Sequence, residues 1–198
     1  MLIETERLIV RTMREEDAEA LFRVKTDPQV TEFIPSFLSR GITAADVPKY
    51  IREFRKAEED GDNDTWRCYA ITDKATGEVM GTLSFGLSEL LREYELGWEM
   101  IGAYTKKGYA SEAAAAFAEY FCKACHQDYL IVIMDTDNPA SYRTALKSGF
   151  KLFEKRTVYD YSLKRYSDDY YYFRRYVSSC NWKEKFYGDV PYTGRGAE

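Results

Sequence analysis

The junction that decides the fold is Tyr104-Thr105-Lys106-Lys107-Gly108-Tyr109-Ala110, which connects a predicted strand to the most regular helix of the chain. Residues 108–125 are rich in alanine, and their apolar residues recur at helical spacing. The first turn of such a helix presents unpaired N–H groups and the positive end of the helix dipole. Gly108 permits a positive φ or a close backbone approach, and Lys106 and Lys107 add positive charge. The junction predicts a phosphate-binding loop, the alternative being a turn glycine beside two surface lysines.

Hydrophobic spacing and turn residues on both sides of this junction predict a mixed sheet with helices packed on it. The predicted elements are a strand at 7–11, helices at 14–27 and 44–58, strands at 66–72, 78–87 and 93–101, a helix at 108–125, a strand at 129–134, a helix at 139–147, and strands at 150–161 and 170–177. The last two strands are expected to form a hairpin that turns at Ser167-Asp168-Asp169. The order βααβββαβαββ describes an α/β (α+β) fold with about seven strands and about four helices.

The composition excludes several classes of protein. The 198 residues are 45% hydrophobic and 31% charged, which predicts a single domain over residues 1–198, with its C-terminal strand and tail at 170–198. No apolar run approaches the roughly 20 residues that cross a bilayer, and the N-terminus lacks the features of a signal peptide, so we expect a cytoplasmic protein that does not enter the membrane.

The small number of cysteines, in a chain for which no export signal is recognised, predicts free thiols in a reducing compartment. There are four of them, Cys68, Cys122, Cys125 and Cys180. The run Cys122-x-x-Cys125-His126 resembles half of a zinc site, but no second pair of ligands follows at the expected spacing, so no metal is predicted.

The charges are distributed unevenly along the chain. Residues 1–141 carry 16 Lys and Arg against 26 Asp and Glu, whereas residues 142–198 carry 12 against 7. The net charge of −5 argues against a protein that binds polyanions as a whole. The basic, tyrosine-rich tail could stack on nucleic acid, but tyrosine and arginine are also typical of a half-exposed antiparallel hairpin, so nucleic-acid binding is not expected.

Three stretches of this sequence together resemble one family. Residues 105–110 are similar to the pyrophosphate-binding pattern R/Q-x-x-G-x-G/A of the GNAT superfamily of acetyl-CoA-dependent N-acetyltransferases, with Thr105, Gly108 and Ala110 at its defined positions. ETERLIVR at residues 4–11 and NPAS at 138–141 resemble the branch of the ribosomal-protein alanine N-acetyltransferases, the RimJ/RimL-like enzymes. The resemblance covers about residues 3–160, in the family's order of elements.

The resemblance implies a site for the co-substrate acetyl-CoA. The backbone of Trp98-Glu99-Met100-Ile101 would pair with the pantetheine, and the backbone from Tyr104 to Ala110 would hold the pyrophosphate. Asn138 and Ser141 would lie beside the pantetheine and the sulfur. The chain departs from the family at two positions: Thr105 stands where arginine or glutamine is common, and Ala145 stands where relatives outside this branch have the tyrosine that protonates the leaving thiolate.

Acetyl transfer to an amine requires a base for the amine and a destination for the charge of the thiolate. Strand alternation places Glu95, Gly97 and Glu99 on one face. Glu95 is the preferred candidate base, since Gly97 leaves room beside it. Glu99 is the second choice, and an exposed strand carboxylate is the alternative for Glu95. Ser141, in the first turn of its helix, is the candidate acid, unless it only bonds the helix N–H groups.

These features support two hypotheses from different classes. The first is an N-acetyltransferase that moves the acetyl group of acetyl-CoA to a primary amine, either a protein N-terminus or a small molecule. The second is a catalytically silent acyl-CoA-binding or interaction protein that keeps the loop without an effective acid and base. Aromatic edge strands also favour a homodimer.

Overall fold

The computed structural model describes residues 1–88, 91–160 and 165–176. In these residues, α-helices pack on both faces of one eight-stranded sheet. The strands are β1 (Leu2–Glu4), β2 (Leu8–Thr12), β3 (Arg67–Asp73), β4 (Val79–Leu87), β5 (Tyr94–Met100), β6 (Tyr129–Asp135), β7 (Lys151–Asp160) and β8 (Arg165–Tyr176). The α-helices are α1 (Ala18–Thr26), α2 (Pro28–Thr31), α3 (Ser36–Ser39), α4 (Val47–Glu59), α5 (Tyr109–Ala124) and α6 (Pro139–Lys147).

The order of strands across the sheet creates a gap near its centre. The order is β1-β2-β3-β4-β5-β6-β8-β7, and every neighbouring pair is antiparallel except β5 and β6. These two strands are parallel because the chain crosses over through α5 between them. In the described part of the chain they pair only where Glu95 lies opposite Ile131. The ends of β5 and β6 beyond this pair are therefore free to border a cleft.

Two apolar clusters cover the two faces of the sheet. On one face, the buried residues of α1 and α4 pack with Ala70 and Val79 of the sheet. On the other face, Phe117 and Phe121 of α5 pack with Phe85 of β4, and Ala145 of α6 joins the same cluster. Such burial on both sides of a central sheet supplies most of the stability of an α/β domain. None of the helices in the described ranges combines the length and apolarity that a membrane crossing requires.

The predicted α/β fold is confirmed, with local differences. Asp27-Pro28 ends α1 as expected, but it also starts α2, because the Asp27 carboxylate accepts a hydrogen bond from the N–H of Gln29 at 2.9 Å and Pro28 takes the first helical position. The helix α3 and the three-residue strand β1 were not predicted, because elements this short leave little periodic signal.

The predicted turn at Ser167-Asp168-Asp169 is wrong. Ser167 pairs with Val158 inside the β7–β8 ladder, so this polar run belongs to β8. Serine and aspartate are common in turns, but pairing with β7 outweighs that local preference. The predicted tail at 177–198, which includes Cys180, lies outside the described residues, as do residues 161–164 between the last two strands.

Candidate active site

The loop before α5 has the backbone conformation that its glycine permits. Gly108 has a φ of +84°, and Lys106 is also left-handed, with a φ of +62°. A Cβ on Gly108 would meet Arg7 Nη2 at 3.5 Å, which is an ordinary contact, so the positive φ rather than lack of space is what requires glycine. The N–H groups of the first turn of α5 then point out of the helix toward the cleft beside this loop.

Arg7 braces this loop from the far end of the sequence. Its Nε donates to Glu112 Oε2 at 2.8 Å, its Nη1 donates to the carbonyl of Lys107 at 3.1 Å, and its guanidinium lies 4.6 Å from the centre of the Tyr109 ring. Partial burial would raise the pKa of Glu112, but hydrogen bonds from Thr5 and Arg7 hold it below its ordinary value. Arg7 belongs to the ETERLIVR stretch, yet its role was not predicted because nothing in the local pattern connects residue 7 with residue 107.

A cleft of about 430 Å³ extends from this loop along the end of β5 to the start of α6. Most of the predicted cofactor-binding residues line it: Trp98, Glu99, Met100, Tyr104, Thr105, Lys106, Gly108, Tyr109, Ala110, Asn138 and Ser141. Ile101 and Lys107 do not line it. The Lys107 ammonium lies instead 5.5 Å from the centre of the Tyr104 ring. The Thr105 hydroxyl donates to the carbonyl of Gly102 at 2.9 Å, so its contribution is to the shape of the loop.

A second cavity, of about 650 Å³, lies on the α1 side of β5 and is called the chamber below. Glu95 and Gly97 line it, as do residues 132–135 of β6. The residues that line both the chamber and the cleft are Phe33, Ile34, Trp98, Glu99, Asn138 and Ser141. The two cavities therefore meet where β5 and β6 diverge, beside the N-terminus of α6.

Glu95 is a titratable group of the chamber with a pKa shifted toward neutrality. Its residue is half-buried. Burial raises the pKa of Glu95 from 4.5 to about 7, although a hydrogen bond with Ser88 acts in the opposite direction. A carboxylate with a pKa near neutrality is suited to accept a proton and release it again. This burial argues against the alternative interpretation of Glu95 as an exposed strand carboxylate.

Glu99 has a different environment from Glu95. Lys25 Nζ lies 2.7 Å from Glu99 Oε1 and 2.6 Å from Oε2, and the Thr82 hydroxyl donates to Oε2 at 2.5 Å. Glu99 and Lys25 are 4% and 5% exposed, so water does not replace these contacts. Burial would lower the pKa of Lys25, but the negative charge beside it holds the pKa above its ordinary value. Because both oxygens of Glu99 are occupied by a buried ion pair, the geometry favours Glu95 over Glu99 as a base.

Ser141 lies at the meeting point of the two cavities with one hydrogen bond already made to its side chain. The indole Nε1–H of Trp98 donates to Ser141 Oγ at 3.2 Å. The backbone N–H of Ser141 donates to Asn138 Oδ1 at 3.0 Å, which caps α6. Since the oxygen accepts from Trp98, the hydroxyl hydrogen of Ser141 is directed elsewhere. The cap belongs to Asn138, and the Ser141 side chain is therefore available for chemistry.

Neither Tyr142 nor Ala145 of α6 lines the meeting point. The Tyr142 ring packs against the rings of Tyr171 and Phe173, with centroids 4.9 Å and 5.2 Å apart. Ala145 is fully buried in the core on the α5 face. A tyrosine at this position would have to displace core side chains in this fold.

Tyr172 and Arg174 of the tail and Cys122 of the predicted half zinc site lie apart from both cavities, although Tyr170 at the start of the tail lines the chamber. In the tail, the Arg174 guanidinium lies 3.1 Å from Glu93 Oε1, and the Tyr172 hydroxyl donates to the same carboxylate at 2.6 Å, so both side chains serve the fold. Cys122 is buried in the core on the α5 face. Among the residues described, no group of three or more His, Cys, Asp or Glu side chains could hold a metal ion.

Comparison with known proteins agrees with this geometry. Residues 7–151 match the model of the acetyltransferase (GNAT) domain. The chain is 29% identical over 168 residues to the uncharacterized N-acetyltransferase YoaA of Bacillus subtilis, covering 80% of this chain and 92% of that protein. An acetyltransferase (GNAT family) structure from Bacillus anthracis superposes with a TM-score of 0.71 at 25% identity, covering 89% of this chain and 98% of the other.

A structure of RimL, the ribosomal L7/L12 alpha-N-protein acetyltransferase, in complex with coenzyme A shares the fold as well. Its TM-score is 0.75 at 17% identity, and the match covers 91% of this chain and all of the other. The resemblance found in the sequence is thereby confirmed. The chain belongs to the GNAT acetyltransferase family and is an acyltransferase.

Proposed function

We propose that this acyltransferase moves the acetyl group of acetyl-CoA to a primary amine, at the point where the cleft and the chamber meet. The observation that carries the proposal is this meeting: one cavity begins at a helix N-terminus suited to phosphates, and the other contains a carboxylate whose pKa is about 7. RimL, which shares the fold, has been solved with coenzyme A. That complex supports acetyl-CoA as the co-substrate.

Each group at the meeting point has a defined part in the proposed reaction. Glu95 accepts a proton from the ammonium form of the acceptor, directly or through a water molecule. The neutral nitrogen attacks the acetyl carbonyl carbon. An amide bond forms and the C–S bond breaks as this nitrogen releases its second proton to water. The electron pair of that bond stays on the sulfur, and the Ser141 hydroxyl donates a hydrogen bond to the thiolate until a proton from water neutralises it. The products are an N-acetylated amine and free coenzyme A.

Several side chains would hold acetyl-CoA without taking part in the transfer. The backbone of residues 106–110 and the first turn of α5 would bind the pyrophosphate, with Arg7 fixing the loop through the Lys107 carbonyl. The free end of β5, from Trp98 to Met100, presents backbone groups along the cleft, where the pantetheine would lie. Homodimer formation and a cytoplasmic location stay predictions from the sequence.

The test measures binding and transfer separately. Calorimetry determines the affinity for acetyl-CoA, and a thiol reagent follows coenzyme A release with a panel of primary amines, including peptide N-termini. We expect binding and amine-dependent thiol release, with the acetylated amine identified by mass spectrometry. Binding without thiol release for any amine would instead establish the silent acyl-CoA-binding protein.

A further inference from the structure

The chamber has an aromatic wall that the proposed transfer step does not use. The rings come from the loop after α2, from α3 and α4, and from the residue before β3: Phe33, Phe37, Tyr50, Phe54 and Trp66. The ring of Tyr50 lies 5.9 Å from that of Phe37 and 6.5 Å from that of Phe54, so these three form one surface. This surface faces the same space as Glu95.

Trp66 is the exposed member of the wall, and its ring is held in place. The residue is 39% exposed, and its Nε1–H donates to the carbonyl of Leu87 at 3.0 Å. The ring lies directly on Gly86, where a Cβ would come within 2.7 Å of Trp66 Cγ. Gly86 pairs with Glu95 across β4 and β5. A fixed aromatic ring is therefore built beside the strand position that carries the candidate base.

The charges around the chamber do not favour an acceptor that carries an anionic group. The ammonium of Lys25 is paired with Glu99. The buried guanidinium of Arg67 donates to Tyr69 Oη at 2.7 Å and to Asn63 Oδ1 at 2.8 Å. Both buried cations of the chamber are thus engaged within the protein.

Besides Glu95 and the paired Glu99, the carboxylates of Glu53 and Asp135 line the chamber. Arg40 is an exposed cation at its edge, with its guanidinium 5.9 Å from the centre of the Tyr50 ring. The carboxylates favour the approach of an ammonium group. The chamber therefore suits an acceptor whose only charge is its amine.

We propose that the acceptor is a small primary amine carried on a flat aromatic body, with its ring against Trp66 and its amine at Glu95. This inference rests on the proposed function, because an acceptor whose amine reaches the meeting point must leave the rest of its body in the chamber. A volume of about 650 Å³ lies in the range of small-molecule sites, roughly 300–1,000 Å³. A peptide would bring backbone N–H and C=O groups against an aromatic wall that has few partners for them.

The experiment compares 2-phenylethylamine with butylamine, spermidine and a short peptide that begins with alanine, in the wild type and in Trp66→Leu. We expect the wild type to prefer 2-phenylethylamine over butylamine by about 10-fold or more in kcat/KM. Trp66→Leu should raise the KM for 2-phenylethylamine about 10-fold while leaving the KM for butylamine within about 2-fold. Tyr120→Leu is the matched control, since Tyr120 is 44% exposed on α5 and lines neither cavity.

A second variant tests the position of the ring without removing it. A Cβ at residue 86 would come within 2.7 Å of Trp66 Cγ and 2.8 Å of Trp66 Cα, so Gly86→Ala must shift residue 66, backbone and ring together, and should also raise the KM for 2-phenylethylamine. Trp66 does not line the cofactor cleft, so an unchanged affinity for acetyl-CoA shows that each variant is folded.

Three results would overturn the inference. The first is a wild-type preference for the peptide, spermidine or butylamine. The second is an equal loss for all amines in Trp66→Leu with a shifted pH profile, which would mean that Trp66 only buries Glu95. The third is the absence of transfer to any amine despite acetyl-CoA binding, which would overturn the proposed function as well, whereas the first two results leave the proposed function standing.

Discussion

Replacing Glu95 with glutamine should cost activity and increase stability at the same time. A carboxyl whose pKa is raised from 4.5 to about 7 binds its proton more tightly in the folded chain than in the unfolded chain. Its ionisation therefore destabilises the folded state, by about 3 kcal/mol at most. This cost is absent below about pH 4.5, grows as the pH rises, and is complete above about pH 7. Glutamine has a similar size and no charge, so Glu95→Gln avoids the cost.

The assay measures unfolding free energies by urea denaturation and kcat/KM for a primary amine, each at several pH values. The stability difference between Glu95→Gln and the wild type should grow by about 2 to 3 kcal/mol as the pH rises from 5 to 8. Its kcat/KM should fall about 100-fold or more, with little change in acetyl-CoA affinity. The wild-type rise in kcat/KM near pH 7 should disappear, leaving only the rise that reflects the acceptor amine.

Glu53→Gln is the matched control for this experiment. Glu53 also lines the chamber, but its side chain is 53% exposed. Because that side chain is largely in water, its replacement should change stability and kcat/KM much less than the replacement of Glu95 does. The reasoning is refuted if the stability difference between Glu95→Gln and the wild type does not change with pH, or if Glu95→Gln retains wild-type activity. An activity loss in Glu99→Gln alone would move the role two residues along β5.

The remaining predictions concern the loop and the meeting point. Gly108→Val should weaken acetyl-CoA binding in calorimetry more than Lys107→Ala does. A φ of +84° disfavours valine, whereas Lys107 contributes an exposed charge worth about 1 kcal/mol or less. Equal affinities of Gly108→Val and the wild type would contradict this prediction. Ser141→Ala should slow turnover about 10- to 100-fold with little change in Tm; turnover at the wild-type rate would leave the thiolate to water. Trp98→Phe removes the hydrogen bond to Ser141 and should slow turnover about 3- to 10-fold when Ser141 is present, but not when it is added to Ser141→Ala. An equal effect in both backgrounds would refute the Trp98–Ser141 coupling.

The parts of the fold that were predicted are those that neighbouring residues determine. Gly108 precedes α5 as expected, and Asn138 with Pro139 starts α6 as expected. Both signals act within one helical turn, through a backbone conformation, a cap and a fixed proline φ. The buried strand β6 was recognisable from its unbroken apolar run. Where a side chain or backbone dihedral acts only on its own segment, its effect can be predicted from the local sequence.

Alternation along β5 also placed Glu95, Gly97 and Glu99 correctly on one face, but it could not distinguish the two carboxylates. The structure separates them through residues distant in sequence: Lys25 of α1 neutralises Glu99, while no such partner faces Glu95 in the pairs described here. The bracing of residue 107 by Arg7 depends on the tertiary structure in the same way.

The sequence by itself determined the family, the order of most elements and the loop before α5, because these depend on local propensity and on motifs of a few residues. Only the tertiary structure decided which carboxylate is paired, which hydroxyl lies where the cavities meet, and that Trp66 lies beside Glu95 in the chamber. Those outcomes depend on burial and on contacts between segments up to about 100 residues apart, such as Arg7 with Lys107. Burial and long-range pairing change the free energy of a charged group. The residues that bury or pair it are distant in sequence, so a local sequence pattern does not identify them.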